Sequence, residues 1–199
     1  LHKEYRRQRQ MCIRDRYGDR SREEIISLTR DSVNFLLSKD VKIIIFGCNT
    51  ATAVAMSTIQ KEIPLQIIGV VQSGALAAAR TTETKNVAVI GTNATVDSHS
   101  YLKEIQYRDP EIKVSEFAQP KLAPLAEEDP DENIKNAVVS ESLTPLKNAD
   151  YDTLVLGCTH YPLFRDEIVA VVGQDKKIVD PADPVSYTHL RAHETCADL

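Results

Sequence analysis

Two cysteines stand at matching corners of this chain. The stretches KIIIFGCNTATAV (42–54) and TLVLGCTHYPLFR (153–165) each pass from an apolar run through Gly-Cys into two polar residues. Cys48 and Cys158 are 110 positions apart. If each apolar run is a strand of a parallel sheet, both thiols lie beyond a strand's carboxyl end, where open α/β sheets bind ligands. Gly47 and Gly157 would let the backbone turn without a Cβ in the way. Asn49-Thr50 and Thr159-His160 would then begin helices, whose free N–H groups and dipoles favour a small anion such as a carboxylate. The same positive helix ends are expected to lower each thiol pKa from roughly 8.5 toward neutrality. One cysteine after a strand is commonly a core residue. Two, each beside polar helix-starting residues, point to chemistry instead. Thiols on facing lobes suit inversion of a carbon centre, one as thiolate base and the other as thiol acid on the opposite face. An amino-acid Cα proton is very weakly acidic, so helix N-termini and hydroxyl donors on the α-carboxylate must also stabilise the carbanion-like state.

The elements that must carry these corners follow from periodicity. Ser21 and Glu24 have the spacing of a capping box, and Ile25, Leu28, Val33, Leu36 and Leu37 share one helical face. Ile43 to Phe46 is expected as a buried strand, apolar throughout, followed by a helix to about Glu62. Strands are then expected over 65–71, 86–90, 111–117, 153–156 and 177–179. Helices are expected over 74–80, 95–106, 131–143 and 162–172, with Pro145 stopping the third. The acid- and proline-rich PLAEEDPDEN (124–133) reads as a loop leading to a helix start. Apolar strands alternating with amphipathic helices imply an α/β fold, its parallel sheets covered on both faces. The repeated corner implies two similar lobes.

Bulk properties narrow the function classes. The 199 residues suffice for one large or two small domains, and 42% hydrophobic with 27% charged residues is ordinary for a globular protein. A formal charge of −5 argues against a nucleic-acid binder. No apolar run reaches the roughly 18 residues of a membrane span. LHKEYRRQRQMCIRDR at the start is basic and lacks an apolar core, so it is not read as a secretory signal. Cys12, Cys48, Cys158 and Cys196 form no C-x-x-C pair, and free thiols in a reducing cytoplasm are expected.

GCNTATA (47–53) and the more specific GCTHYPL (157–163) resemble the two cysteine motifs of the glutamate racemase family. YGDRSREEI (17–25), IGVVQSGA (68–75), VIGTNATVDSHSY (89–101) and QPKLAPLAEE (119–128) agree in order and spacing. The resemblance covers about residues 17–184. It implies two flavodoxin-like lobes with the site in the cleft between them. It also implies cofactor-independent interconversion of L- and D-glutamate, with D-glutamate going into peptidoglycan. By analogy Cys48 acts on the D-isomer and Cys158 on the L-isomer, assisted by His160. Tyr17, Gly18, Asn49, Thr50, Thr159 and His160 are carried over as substrate contacts. Thr92 and Glu127 match positions near the site, Thr92 as a binding and Glu127 as a catalytic candidate. No metal and no pyridoxal phosphate are implied, and a homodimer is left open. His99, beside no other ligand-type residue, reads as a surface residue.

The expected lobes are 17–72 with about 179–184, and 73–178. The family's N-terminal strand ending in Asp-Ser-Gly is missing from this sequence, which is expected to destabilise the first lobe and leave the chain nearly inactive. Gln72-Ser73 stands where the family shows Glu-Pro, and Gln119-Pro120 where it shows Cys-Pro. Residues 1–16 and 185–199 match neither the family nor their surroundings and read as non-native, adapter-derived sequence. His189 and His193 are therefore not read as a metal pair. Three other readings have distinct consequences: an aspartate racemase or other sibling, a non-catalytic amino-acid-binding module, and a zinc site at Cys158 and His160. The last rests on a lone C-x-H, a weak metal signal.

Overall fold

A computed structural model describes residues 17–39, 41–128 and 130–184. The readings placed on 1–16 and 185–199, including Cys12, Cys196, His189 and His193, lie outside these residues. After a 3-10 turn at Tyr17–Asp19, α1 (Arg22–Leu37) opens with the expected capping box: the Ser21 hydroxyl accepts from the Glu24 amide at 3.3 Å, and the Ser21 amide donates to Glu24 Oε2 at 3.0 Å. Ile25 and Val33 of α1 pack with Ile44, Phe46, Val54, Ala55 and Ile59 in one apolar cluster. Fully burying such side chains contributes roughly 1.5–3 kcal/mol each, which outweighs any local helix preference. β1 (Ile44–Phe46) and β2 (Ile67–Gly69) pair in parallel, Ile44 opposite Ile67, with α2 (Asn49–Ile59) between them in sequence.

The second sheet has the order β4–β3–β5–β6, formed by β3 (Asn86–Gly91), β4 (Lys113–Ala118), β5 (Thr153–Gly157) and β6 (Lys177–Val179), all parallel. Counted within this sheet the order is 2-1-3-4, the flavodoxin-like arrangement. Its two central strands divide their side chains by pleat. Ala88, Ile90, Leu154 and Leu156 enter one cluster with Leu122, Val139 and Ile168. Val87, Val89 and Val155 enter another with Val71, Ala75 and Ile105. Both faces of this sheet are thus covered, as continuous apolar strands require. α4 (Asn93–Asp97) and α5 (Ser100–Arg108) link β3 to β4. α6 (Leu122–Glu128) and α7 (Glu132–Ser142) link β4 to β5, and α8 (Arg165–Val172) links β5 to β6.

Five expectations are corrected. Ile45 is 51% exposed rather than buried, because β1 is covered on one face only among the described residues. The strand expected over 65–71 is shorter, and α3 (Val70–Thr81) begins immediately after it, so Gln72-Ser73 sits in a helix's first turn. The helix expected over 95–106 is split at His99, whose φ of 53° is left-handed. Ser98 fills the gap, its hydroxyl donating to the Thr95 carbonyl at 2.7 Å and accepting from the Ser100 amide at 3.2 Å. The stretch 124–133 is not all loop. Residues 122–128 form α6, since Pro124 falls in the first turn, where a missing N–H costs nothing. Finally, Tyr161–Phe164 is a 3-10 turn, and α8 starts only at Arg165.

Candidate active site

All ten residues singled out from sequence line one cavity of about 400 Å³: Tyr17, Gly18, Cys48, Asn49, Thr50, Thr92, Glu127, Cys158, Thr159 and His160. They come from five places along the chain, so tertiary structure alone brings them together.

The first corner is built as expected. Cys48 is the N-cap of α2 in extended conformation, and its sulfur accepts from the Ala51 amide at 3.5 Å. A Cβ added to Gly47 would meet nothing within 4 Å, so this glycine is not needed for steric relief, contrary to expectation. Asn49 and Thr50 follow in the first helical turn, both buried. The Thr50 hydroxyl lies 2.9 Å from that of Thr92 and 3.1 Å from that of Thr95, and Thr92 and Thr95 are themselves 3.1 Å apart. This triangle joins the corner after β1 to the corner after β3, where Thr92 caps α4. Tyr17-Gly18 closes against it: a Cβ on Gly18 would approach Thr92 Cβ to 2.9 Å, so only glycine brings the backbone this near without displacement. Thr95 was missed from sequence. The signal was its i+3 relation to Thr92, the spacing at which an N-cap side chain meets the helix backbone.

At the second corner glycine is required. A Cβ on Gly157 would come within 2.6 Å of the Ile90 carbonyl oxygen across the sheet. Cys158 is buried, Thr159 exposed and His160 half-buried. The Cys158 sulfur lies 3.6 Å from His160 Nδ1, and His160 Nε2 lies 3.4 Å from Glu127 Oε1. The site therefore holds a thiol–imidazole–carboxylate line. Its carboxylate comes from α6, the helix read from sequence as a loop. The Tyr161 hydroxyl donates to the Gln119 carbonyl at 2.8 Å, tying the approach to α6 onto the same corner. His99 lies elsewhere, exposed, with its Nδ1 2.7 Å from Glu116 Oε2.

The thiols do not behave as helix dipoles alone would dictate. Burial pushes Cys48 up, more than its hydrogen bonds from the Ala51 and Thr50 amides and the Thr50 hydroxyl pull it down. Burial pushes Cys158 up to about 11, opposed by the His160 amide and reinforced by negative charge at Cys48 and Glu127. The expected shift toward neutrality is thus reversed. The 3-10 turn after Cys158 has little dipole, and at both corners desolvation of a thiolate outweighs what dipole there is. The charge effect of Cys48 on Cys158 has a chemical use. Two thiolates facing one cavity repel, so the pair favours a state holding at least one proton, as interacting acids do. Among the described residues, no group of three or more His, Cys, Asp or Glu side chains is placed to hold a metal ion.

The family model for Asp/Glu/Hydantoin racemase matches residues 12–184. A glutamate racemase from Lactobacillus johnsonii is 94% identical over 185 residues, covering 92% of this chain and 70% of the relative. One from Lactobacillus acidophilus is 63% identical, covering 85% of this chain and 64% of the relative. The chain thus spans roughly two thirds of the length of these relatives. Among solved structures, a glutamate racemase from Bacillus anthracis superposes with a TM-score of 0.84 at 35% identity, covering 90% of this chain and 68% of that one. A Francisella tularensis glutamate racemase in complex with D-glutamate gives 0.80 at 28% identity, covering 90% and 68%. With the two-sheet fold and the paired Gly-Cys corners, these matches place the chain in the Asp/Glu/hydantoin racemase family.

Proposed function

We propose that this chain interconverts L- and D-glutamate by a two-thiol acid/base mechanism without a cofactor. The observation that carries the reading is that Cys48 and Cys158, from corners on two different sheets, line one cavity. In the L-to-D direction Cys158, as thiolate, removes the Cα proton and becomes a thiol. Cys48, as thiol, delivers its proton to the opposite face and becomes a thiolate. One proton leaves carbon and one arrives, so the inverted product has the composition of the substrate, and solvent exchange restores the two sulfurs. His160, beside Cys158 and Glu127, is placed to hold the proton that must leave Cys158. The buried Asn49 and Thr50 and the first-turn amides of α2 offer donors to the α-carboxylate, where charge develops as the Cα–H bond breaks. Tyr17-Gly18 and Thr159 complete the enclosure.

Glutamate is favoured as substrate because the Francisella relative was solved with D-glutamate and the motif match extends through GCTHYPL. D-glutamate made this way supplies peptidoglycan, a cytoplasmic step, and a homodimer is compatible with it. Among the described residues, no helix is long and apolar enough to cross a membrane. The test is incubation of the chain with L-glutamate in heavy water. Deuterium at Cα together with slow accumulation of D-glutamate is expected, in keeping with the low activity expected from the sequence, and accumulation of D-glutamate should fall steeply in Cys48→Ser and Cys158→Ser. Tight glutamate binding with no Cα deuterium would instead mark an amino-acid-binding module.

A further inference from the structure

The two corners meet at a residue to which the mechanism assigns no part. Tyr101, on α5, is 0% exposed. Its hydroxyl donates to Asn49 Oδ1 at 2.5 Å, reaching the residue after Cys48. Its ring backs the residue before Cys158: a Cβ on Gly157 would lie 3.2 Å from Tyr101 Cε2. A Cβ on Gly74 of α3 would lie 3.1 Å from the same hydroxyl. One side chain therefore touches the backbone of the second corner and the side chain of the first, and Gly74 leaves room for it.

We infer that Tyr101 is a positioning residue that fixes the Asn49 amide with its NH2 group toward the cavity, so that it serves only as a donor to the substrate's carboxylate. The inference rests on the racemisation reading above. An asparagine amide presents an acceptor at one end and two donors at the other, and the ends exchange by a half-turn. With Oδ1 engaged by a buried phenol, the half-turn would place NH2 against the phenol and the amide oxygen toward the cavity. That orientation repels a carboxylate. Among the described residues nothing accepts from Asn49 Nδ2, and Asn49 lines the cavity. Burial, with the negative charges of Asp180 and Cys158, holds the Tyr101 phenol well above its ordinary pKa, so it remains a donor throughout the working pH range.

Tyr101→Phe removes only the hydroxyl and keeps the ring against Gly157. The expected result is a rise of about tenfold in KM for both glutamate enantiomers and in the Kd for glutamate by calorimetry, with kcat within about twofold. In an Asn49→Ala background the same substitution should leave KM and Kd unchanged, because Tyr101 acts through Asn49. An unchanged KM and Kd in Tyr101→Phe, or an equal rise in the Asn49→Ala background, overturns the inference whatever happens to thermal stability. Binding of glutamate without Cα deuterium in the parent chain would sink racemisation alone, since the Kd series still tests Tyr101. Absence of glutamate binding by the parent overturns both.

Discussion

Thr50 and Thr92, from corners on different sheets and 42 positions apart, hold their hydroxyl oxygens 2.9 Å apart in the wall of the cavity. Thr95 completes the ring at 3.1 Å from each. Three hydroxyls so placed can each donate to the next, which fixes the corners against one another. Thr95→Val opens this ring while keeping the side chain's shape. A loss of about 1 kcal/mol in unfolding free energy is expected, the usual net worth of a buried hydrogen bond. Glutamate affinity should fall with it. Unchanged midpoints in urea and an unchanged Kd would show that the hydroxyls do not act together.

The line from Cys158 through His160 to Glu127 predicts a graded series. Replacing either cysteine by serine should reduce racemisation by roughly 10²- to 10⁴-fold, the span associated with a positioned acid or base. His160→Asn should fall between these and the parent, and Glu127→Gln should be milder still. Because the free energies of the two enantiomers are equal, kcat/KM must drop by the same factor in both directions for every variant. Coupled assays run from L- and from D-glutamate check this. A Glu127→Gln enzyme slower than Cys158→Ser would contradict the assigned order.

Thiol reactivity offers a separate reading of the site's electrostatics. With Cys158 at about 11, only a small thiolate fraction exists at neutral pH. Its alkylation by iodoacetamide in the ligand-free chain should therefore climb about tenfold per pH unit between pH 7 and 10, with no plateau near 8.5. Removing the neighbouring charge in Cys48→Ala should shift the Cys158 profile to lower pH. Peptide mapping by mass spectrometry distinguishes the two cysteines. A plateau at neutral pH would mean that the dipole prevails over burial after all.

The two glycines ahead of the cysteines should respond differently to the same substitution. Gly157→Ala places a methyl 2.6 Å from the Ile90 carbonyl oxygen and against Tyr101, a backbone clash expected to cost about 1–3 kcal/mol. Gly47→Ala meets open space and should change stability by less than about 0.5 kcal/mol. Thermal melts of the two variants decide the point, and equal losses would refute the contrast.

Much of this molecule is legible without coordinates, wherever the deciding interactions are local. Apolar runs such as Ile43–Phe46 and Thr153–Leu156 announce strands, and Ser21 with Glu24 announces a helix start, because pleat and capping act over a few residues. Pro124 misled because proline in a first turn looks the same in sequence as proline in a loop. His99 broke a helix through a left-handed conformation that periodicity does not register.

The sequence by itself determined that two Gly-Cys corners follow apolar strands, and which residues accompany each thiol. Only the tertiary structure decided that both thiols share one cavity, that Glu127 reaches His160, and that Tyr101 spans from Asn49 to Gly157. It also reversed the direction of the thiol pKa shifts. The physical reason is range: a helix dipole is read from the few residues after a cysteine, whereas desolvation and the repulsion between two sulfurs depend on what the folded chain packs around them.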